Sequence, residues 1–215
     1  MFSLEHFAGN FAPLLWATRY TLLISGLGIV LGLVVGAAIC AAALSRSRLL
    51  RRFAAVYVSF LRGVPLLVLL LLVYYLLPAI GINVPKLIAA VGAIGICSSA
   101  YVSEYWRGAI ISLPPGQTEA AAAIGMTPLA IWTRIILPQA ARVSLPSLVN
   151  EAILLVKASS LVLVIGIMDL TRAAQGQASI SYRPLEAYLA AAVIYLVINL
   201  GLASFGRFLE KRMDV

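Results

Sequence analysis

The chain has 215 residues, 62% of them hydrophobic and only 11% charged, with a mean hydropathy of +1.02 and a net charge of +8. Soluble domains run at roughly 45–50% apolar and about 25% charged residues, so this composition excludes a disordered chain and argues against a soluble single core. The class left is an integral membrane protein, in which surplus Lys and Arg record orientation rather than a nucleic-acid partner.

A bilayer core of ~30 Å needs about 20 apolar residues in a helix, and five stretches qualify. Before the first, Glu5 and His6 stand where a signal peptide would carry basic residues, so none is expected there. The first span, 20–44, contains no charge. Its Gly28, Gly32 and Gly36 recur every fourth residue, which puts three glycines on one face for a close helix–helix approach, within the subunit or at a dimer interface. The second span, 53–78, holds one charge, Arg62; the third, 87–106, holds Glu104 near its end. The fourth, 143–168, contains Pro146, Glu151 and Lys157, and the fifth, 187–206, is uncharged. Cys40 and Cys97 lie inside apolar runs without metal-ligand spacing and read as buried thiols.

Five spans put the termini on opposite sides. One set of loops holds ten basic residues, from Arg46 to Arg212, and the other set four, Arg19, Lys86, Arg172 and Arg183. The positive-inside rule therefore places the N-terminus outside and the C-terminus in the cytoplasm. The longest loop, 108–142, is then cytoplasmic. In it the Pro114-Pro115-Gly116 turn ends the preceding span, Thr118 caps a helix expected to start at Glu119, and Gly125 ends that helix. Thr127-Pro128 opens a second helix, carrying Ile131, Trp132, Ile135 and Ile136 and expected to stop before Pro138. A slim alanine helix of this kind either lies in a groove of another protein or rests on the membrane surface.

The loop carries a longer pattern: Glu119-Ala120-Ala121, three residues, Gly125, nine residues, Ile135, one residue, Leu137-Pro138. It resembles the EAA motif of bacterial ABC importer permeases. Phe60 to Leu67, Ala100 to Gly108 and Lys157-Ala158-Ser159-Ser160-Leu161 resemble blocks of the polar amino acid subfamily, with Val64 and Ala158 departing from the usual residues. The similarity runs from about residue 18 to 212.

The resemblance implies an all-α, ABC type I importer permease-like fold and transport by alternating access. It implies as partners a cytoplasmic ABC ATPase dimer, a second permease subunit of the same or a related chain, a periplasmic or lipid-anchored substrate-binding protein, and a polar amino acid cargo. No phosphate-binding loop of the form G-x-x-x-x-G-K-[ST] is present. No cofactor is therefore expected in this chain, ATP and Mg being bound by the partner ATPase, and the chain is expected to be no enzyme. Glu119, Ala120, Ala121, Gly125 and Pro128 are implied to form the coupling helix that docks on that ATPase. The implied location is the bacterial cytoplasmic membrane.

Ionisable residues at membrane depth are functional candidates by default. Arg62, Glu104 and Arg107 read as a structural ion-pair group, Glu104 and Arg107 being three residues apart on one helix. Glu151 and Lys157 are six residues apart and do not neutralise each other along one face, so each needs another partner or a zwitterionic cargo. Ser98, Ser99, Asn150, Ser159 and Ser160 are candidates to share that pathway. Two readings of other classes compete: a self-contained secondary carrier, and an intramembrane hydrolase in which Lys157 activates Ser159 or Ser160.

Overall fold

Inside a bilayer no water pairs the backbone, so a spanning chain must satisfy its own N–H and C=O groups. In the computed structural model, which describes residues 3–213, all regular structure among those residues is helical. The order is α1 (Leu4–Gly9), α2 (Phe11–Ala43), α3 (Arg48–Gly63), α4 (Leu66–Ala79), α5 (Lys86–Ile111), α6 (Pro115–Ala123), α7 (Pro128–Ile131), a π turn (Trp132–Ile136), α8 (Leu137–Ala158), a 3-10 segment (Ser159–Ile165), α9 (Leu170–Ser181) and α10 (Pro184–Arg212). Four helical segments are long and apolar enough to cross a membrane, and the α3–α4 pair makes a fifth if it is one broken span.

The helix in the first span starts well before residue 20. Its early charge, Arg19, is accommodated by stacking on the rings of Trp16 and Tyr20, 3.5 and 4.9 Å from their centroids, an arrangement suited to the membrane–water interface. The third and fifth helices likewise overrun 87–106 and 187–206, reaching Ile111 and Arg212. The second span is not continuous: α3 and α4 meet at 104°. Pro65 forces the residue before it out of the helical region, and Val64 is extended at φ −98°, ψ 131°.

The fourth segment corrects two expectations. Its helix starts at Pro128 rather than near 143, and it does not stop before Pro138. Pro138 has no N–H to donate, and the preceding π turn loosens the ladder where its ring would clash, so the helix runs through. At its far end the helix tightens to 3-10 at Ser159 and ends at Gly166, whose φ of +75° closes it before residue 168.

The core is α5. Its buried residues are mostly small: Ala89, Ala90, Ala93, Gly95, Ser98, Ser99, Ala100 and Ser103 among them. Small side chains on several faces let neighbouring helices approach it from all sides. The closest neighbour is α2, through the three glycines. A Cβ on Gly28 would meet Ile94 at 3.1 Å, one on Gly32 would meet the Ser98 hydroxyl at 3.0 Å, and one on Gly36 would lie 2.7 Å from Val102 Cγ1 and 2.9 Å from the Ser99 carbonyl oxygen. Gly95 answers from the other side, its missing Cβ 2.8 Å from Leu31. The glycine face thus packs within the subunit.

At the other end of α2, a buried polar knot docks the α9 helix. Asp169 caps α9, accepting from the N–H groups of Arg172 at 2.9 Å and Thr171 at 3.1 Å. The Leu170 N–H donates to Thr21 Oγ1 at 3.1 Å, and the hydroxyls of Thr171 and Tyr195 bond at 2.8 Å. Asp169 is fully buried, yet its carboxylate is satisfied by these donors.

Replacing Gly36 with alanine forces a methyl into the Ser99 backbone, which cannot swing aside. Gly36→Ala is expected to cost about 1–3 kcal/mol of stability, read as a lowered melting temperature of the detergent-solubilised protein. Gly26→Ala, whose new methyl meets nothing within 4 Å, should melt with the parent.

Candidate functional site

Two places in this fold gather the residues that carry chemistry. The first is a cavity of about 430 Å³ where the α3–α4 break meets α5 and α8. The break contributes Arg62, Gly63, Val64, Pro65 and Leu66. From α5 come Ile94, Cys97, Ser98, Tyr101 and Tyr105, and from α8 Glu151, Leu154, Leu155 and Ala158. Both sets follow the three- and four-residue steps of a single helix stripe. The helix break frees backbone groups, and the Cys97 thiol donates to the Leu61 carbonyl at 3.7 Å.

Glu151 is the acid of this cavity, only 7% exposed. Ser98 Oγ donates to one carboxylate oxygen at 2.8 Å and the Tyr105 hydroxyl to the other at 3.3 Å. Both partners are neutral, and no cation lies within salt-bridge distance of Glu151 among the described residues. The cavity therefore holds a buried carboxylate that is hydrogen-bonded but not charge-compensated. A buried carboxylate in this state favours a cationic partner.

On the facing wall, Arg62 ends α3. Its guanidinium lies 4.0 Å from Glu104 and 5.2 Å from the centre of the Tyr101 ring. Glu104 is already engaged by Arg107, which donates Nε to Oε1 at 2.8 Å and a terminal nitrogen to Oε2 at 2.7 Å. The ion pair along α5 is thus the close, bidentate one, and Arg62 stands at its edge.

The other candidates lie elsewhere. Ser99 is buried against α3, bonded to the Tyr57 hydroxyl and near the Ile96 carbonyl, both at 2.6 Å. Ser159 and Ser160 donate to the carbonyls of Val156 and Lys157 at 2.8 and 2.7 Å. Those hydroxyls are spent on the backbone at the 3-10 transition, and the Lys157 amine bonds neither, so the Ser/Lys hydrolase has no assembled dyad among the described residues. Asn150 and Lys157 are exposed on another face of α8 and do not line the cavity. Tyr101, Tyr105 and Gly63-Val64-Pro65 fall within stretches that carry the family resemblance, but none is expected at the site from the sequence. The break had a local signal in Pro65; the tyrosines had one in their spacing from Ser98.

The second place is the loop between α5 and α8. Its helix α6 starts at Pro115, not Glu119, and Thr118 lies inside it rather than at its cap. Pro115 suits the first helical position, where no N–H is required, so the turn and the helix start coincide. The far end is closed as the sequence suggests: Gly125 has φ +82°, its N–H donates to the Ala122 carbonyl at 3.0 Å, and the Met126 N–H reaches the Ala121 carbonyl at 3.1 Å. Thr127 caps α7, accepting from the Ala130 N–H at 3.3 Å. Ala121 is buried against Ile131 and Ile136 and anchors α6. Gln139 Nε2 donates to Gln117 Oε1 at 2.6 Å and ties α6 to α8. Glu119, Ala120, Gly125 and Pro128 remain exposed, beside Ile124 at 80% and Leu129 at 74% exposure. A slim, rigidly capped helix with bare apolar neighbours is a shape that fits a groove.

Residues 22–215 match the family described as "Binding-protein-dependent transport system inner membrane component". The chain is 39% identical to the probable amino-acid ABC transporter permease protein YckA of Bacillus subtilis strain 168, over 90% of this chain and 85% of that protein. It is 37% identical to the glutamine transport system permease protein of Escherichia coli strain K12, over 94% and 93% of the two chains. Its fold matches that in the crystal structure of an amino acid ABC transporter with histidines, with a TM-score of 0.91 and 36% identity over 99% of both chains.

Removing a donor to a buried carboxylate leaves the acid under-satisfied. Ser98→Ala is expected to lower stability by about 1–2 kcal/mol; Tyr105→Phe, which removes the longer bond, should cost less. Thermal unfolding of the purified variants reports both, and an unchanged Ser98→Ala would mean that the bond contributes nothing.

Proposed function

The chain belongs to the family of binding-protein-dependent transport system inner membrane components, and from that premise we propose that it moves a polar amino acid inward through the Glu151 cavity by alternating access. It is an inner-membrane permease subunit of an ABC importer and not an enzyme, since ATP hydrolysis resides in a separate subunit. That membership sets aside the self-contained carrier and the hydrolase.

The observation that carries the cargo reading is the uncompensated Glu151 facing Arg62 across one cavity. An amino acid presents an ammonium and a carboxylate, and these two walls offer one partner to each. Two unit charges at ~4 Å in an effective dielectric of about 20 attract by about 4 kcal/mol before desolvation. A few such contacts orient a cargo without holding it so tightly that it cannot leave. The names of the relatives, for amino acids generally and glutamine in particular, point the same way.

The ATPase reads the permease through α6. Glu119 pairs with a basic residue of the ATPase, Ala120 and the other exposed alanines let the helix sink into a groove, and Gly125 and Pro128 fix where the chain turns away. Ile124 and Leu129 join that surface. We take the end of the helices that holds Arg51 and Arg107 as the cytoplasmic side, a reading supported by the ten-to-four distribution of loop cations, and the N-terminus then lies outside. A second permease subunit, the same chain or a related one, completes the pathway, and a binding protein delivers the cargo from outside. The spans are then α2, the bent α3–α4 pair, α5, the helix from Pro128 to Ile165, and α10.

Uptake of labelled glutamine, histidine, arginine and glutamate by vesicles holding the permease, its ATPase and its binding protein tests this reading. Glu151→Gln should cut uptake of the accepted amino acid several-fold while the affinity of the binding protein stays the same; normal uptake removes Glu151 from the pathway. Gly125→Val, which strains the left-handed cap, should abolish uptake with the permease still in the membrane. Wild-type transport by that variant would sink the docking role.

A further inference from the structure

A second cavity, about 400 Å³, lies on the cytoplasmic side of the first, between the end of α2, α3 and α5. Its wall carries Arg51, Arg62 and Arg107 against one acid, Glu104, a net of +2 from three cations and one anion. The acid is already taken: Arg107 holds both its oxygens, at 2.8 and 2.7 Å, while Arg62 stands off at 4.0 Å. The Arg62 guanidinium makes no hydrogen bond to another protein group among the described residues, which leaves its N–H donors open to a ligand. It also lines the Glu151 cavity, so one half-exposed guanidinium forms a wall common to both spaces. Between the arginines the lining is small, Ala43, Ala55 and Ser59, which leaves room for a ligand.

We propose that this cavity is an exit subsite that receives the carboxylate of the departing amino acid, with Arg62 handing it from the Glu151 cavity to Arg51 and Arg107. The proposal rests on the amino acid cargo argued above. A carboxylate leaving one set of partners at membrane depth meets a barrier unless the next donors are within reach. The shared Arg62 removes that gap, because it need not release the anion before the second cavity's cations attract it. An anionic lipid headgroup carries a similar charge and would also suit Arg51 and Arg107. It gives no reason for an Arg62 that also lines the cargo cavity.

Ser59 borders the cavity without being one of its cations, so a carboxylate placed there competes with the cargo. The test is uptake of the accepted labelled amino acid by the full complex of permease, ATPase and binding protein in vesicles, comparing Ser59→Glu with Ser59→Gln, which fills similar space without charge. The kcat of Ser59→Glu should fall at least about fivefold below that of Ser59→Gln, as expected for a charge opposing an ion pair, with the KM for loaded binding protein alike in the two. The gap should persist in vesicles of purely zwitterionic lipid. Equal rates for the two variants would overturn the proposal, and so would a gap that vanishes without anionic lipid, which would assign the cavity to headgroups. Co-purification of the ATPase verifies assembly; if Ser59→Glu fails it, Ala55→Glu against Ala55→Gln carries the same expectations. Glu151→Gln, measured alongside, reports on the cargo reading separately.

Discussion

The approach of α2 to α5 through Gly28, Gly32 and Gly36 is the constraint on which the rest depends. Lipid chains are as apolar as leucine, so two helices in a membrane gain little from hiding apolar surface and must gain instead from close packing. Three absent side chains on α2 and one on α5 supply that closeness. They fix the rotation of α5 about its own axis. That rotation then decides which residues face the break in the second span: Ser98, Tyr101 and Tyr105 on the cavity side, Ser99 against α3, and Glu104 and Arg107 beyond.

The second constraint is the Pro65 break. A continuous helix from 48 to 79 would seal its backbone and present only side chains. The 104° bend instead opens a space between two helix ends and places Arg62 at its mouth. Irregular backbone at membrane depth is tolerated where it lines a cavity rather than lipid, and here it does. The cavity and its cation thus follow from one proline and one glycine-packed helix pair, and α8 brings the buried acid Glu151 to them.

Much of this was legible in the sequence because it is local. The fourfold glycine spacing, the Gly125 helix end and the Thr127-Pro128 start each depend on a few adjacent residues, and the structure has them as read. The EAA pattern is local too, and the matched family agrees with it. What failed depended on neighbours. Pro138 reads as a stop, yet a π turn before it lets the helix continue. Glu151 and Lys157 look equivalent as charges in a span, but six residues place them roughly 120° apart around a helix, and only Glu151 turns inward. That phase was computable from the spacing. The partners of Glu151 were not, because Ser98 and Tyr105 come from another helix about fifty positions away.

The central claim is that the Glu151 cavity is where the cargo passes. Its most direct measurement is a structure of the assembled transporter, permease with ATPase, solved with the accepted amino acid present. The account predicts the amino acid in the cavity, its ammonium within hydrogen-bond distance of the Glu151 carboxylate and its carboxylate toward Arg62. An amino acid bound between the two permease subunits, with the Glu151 cavity empty, would contradict it.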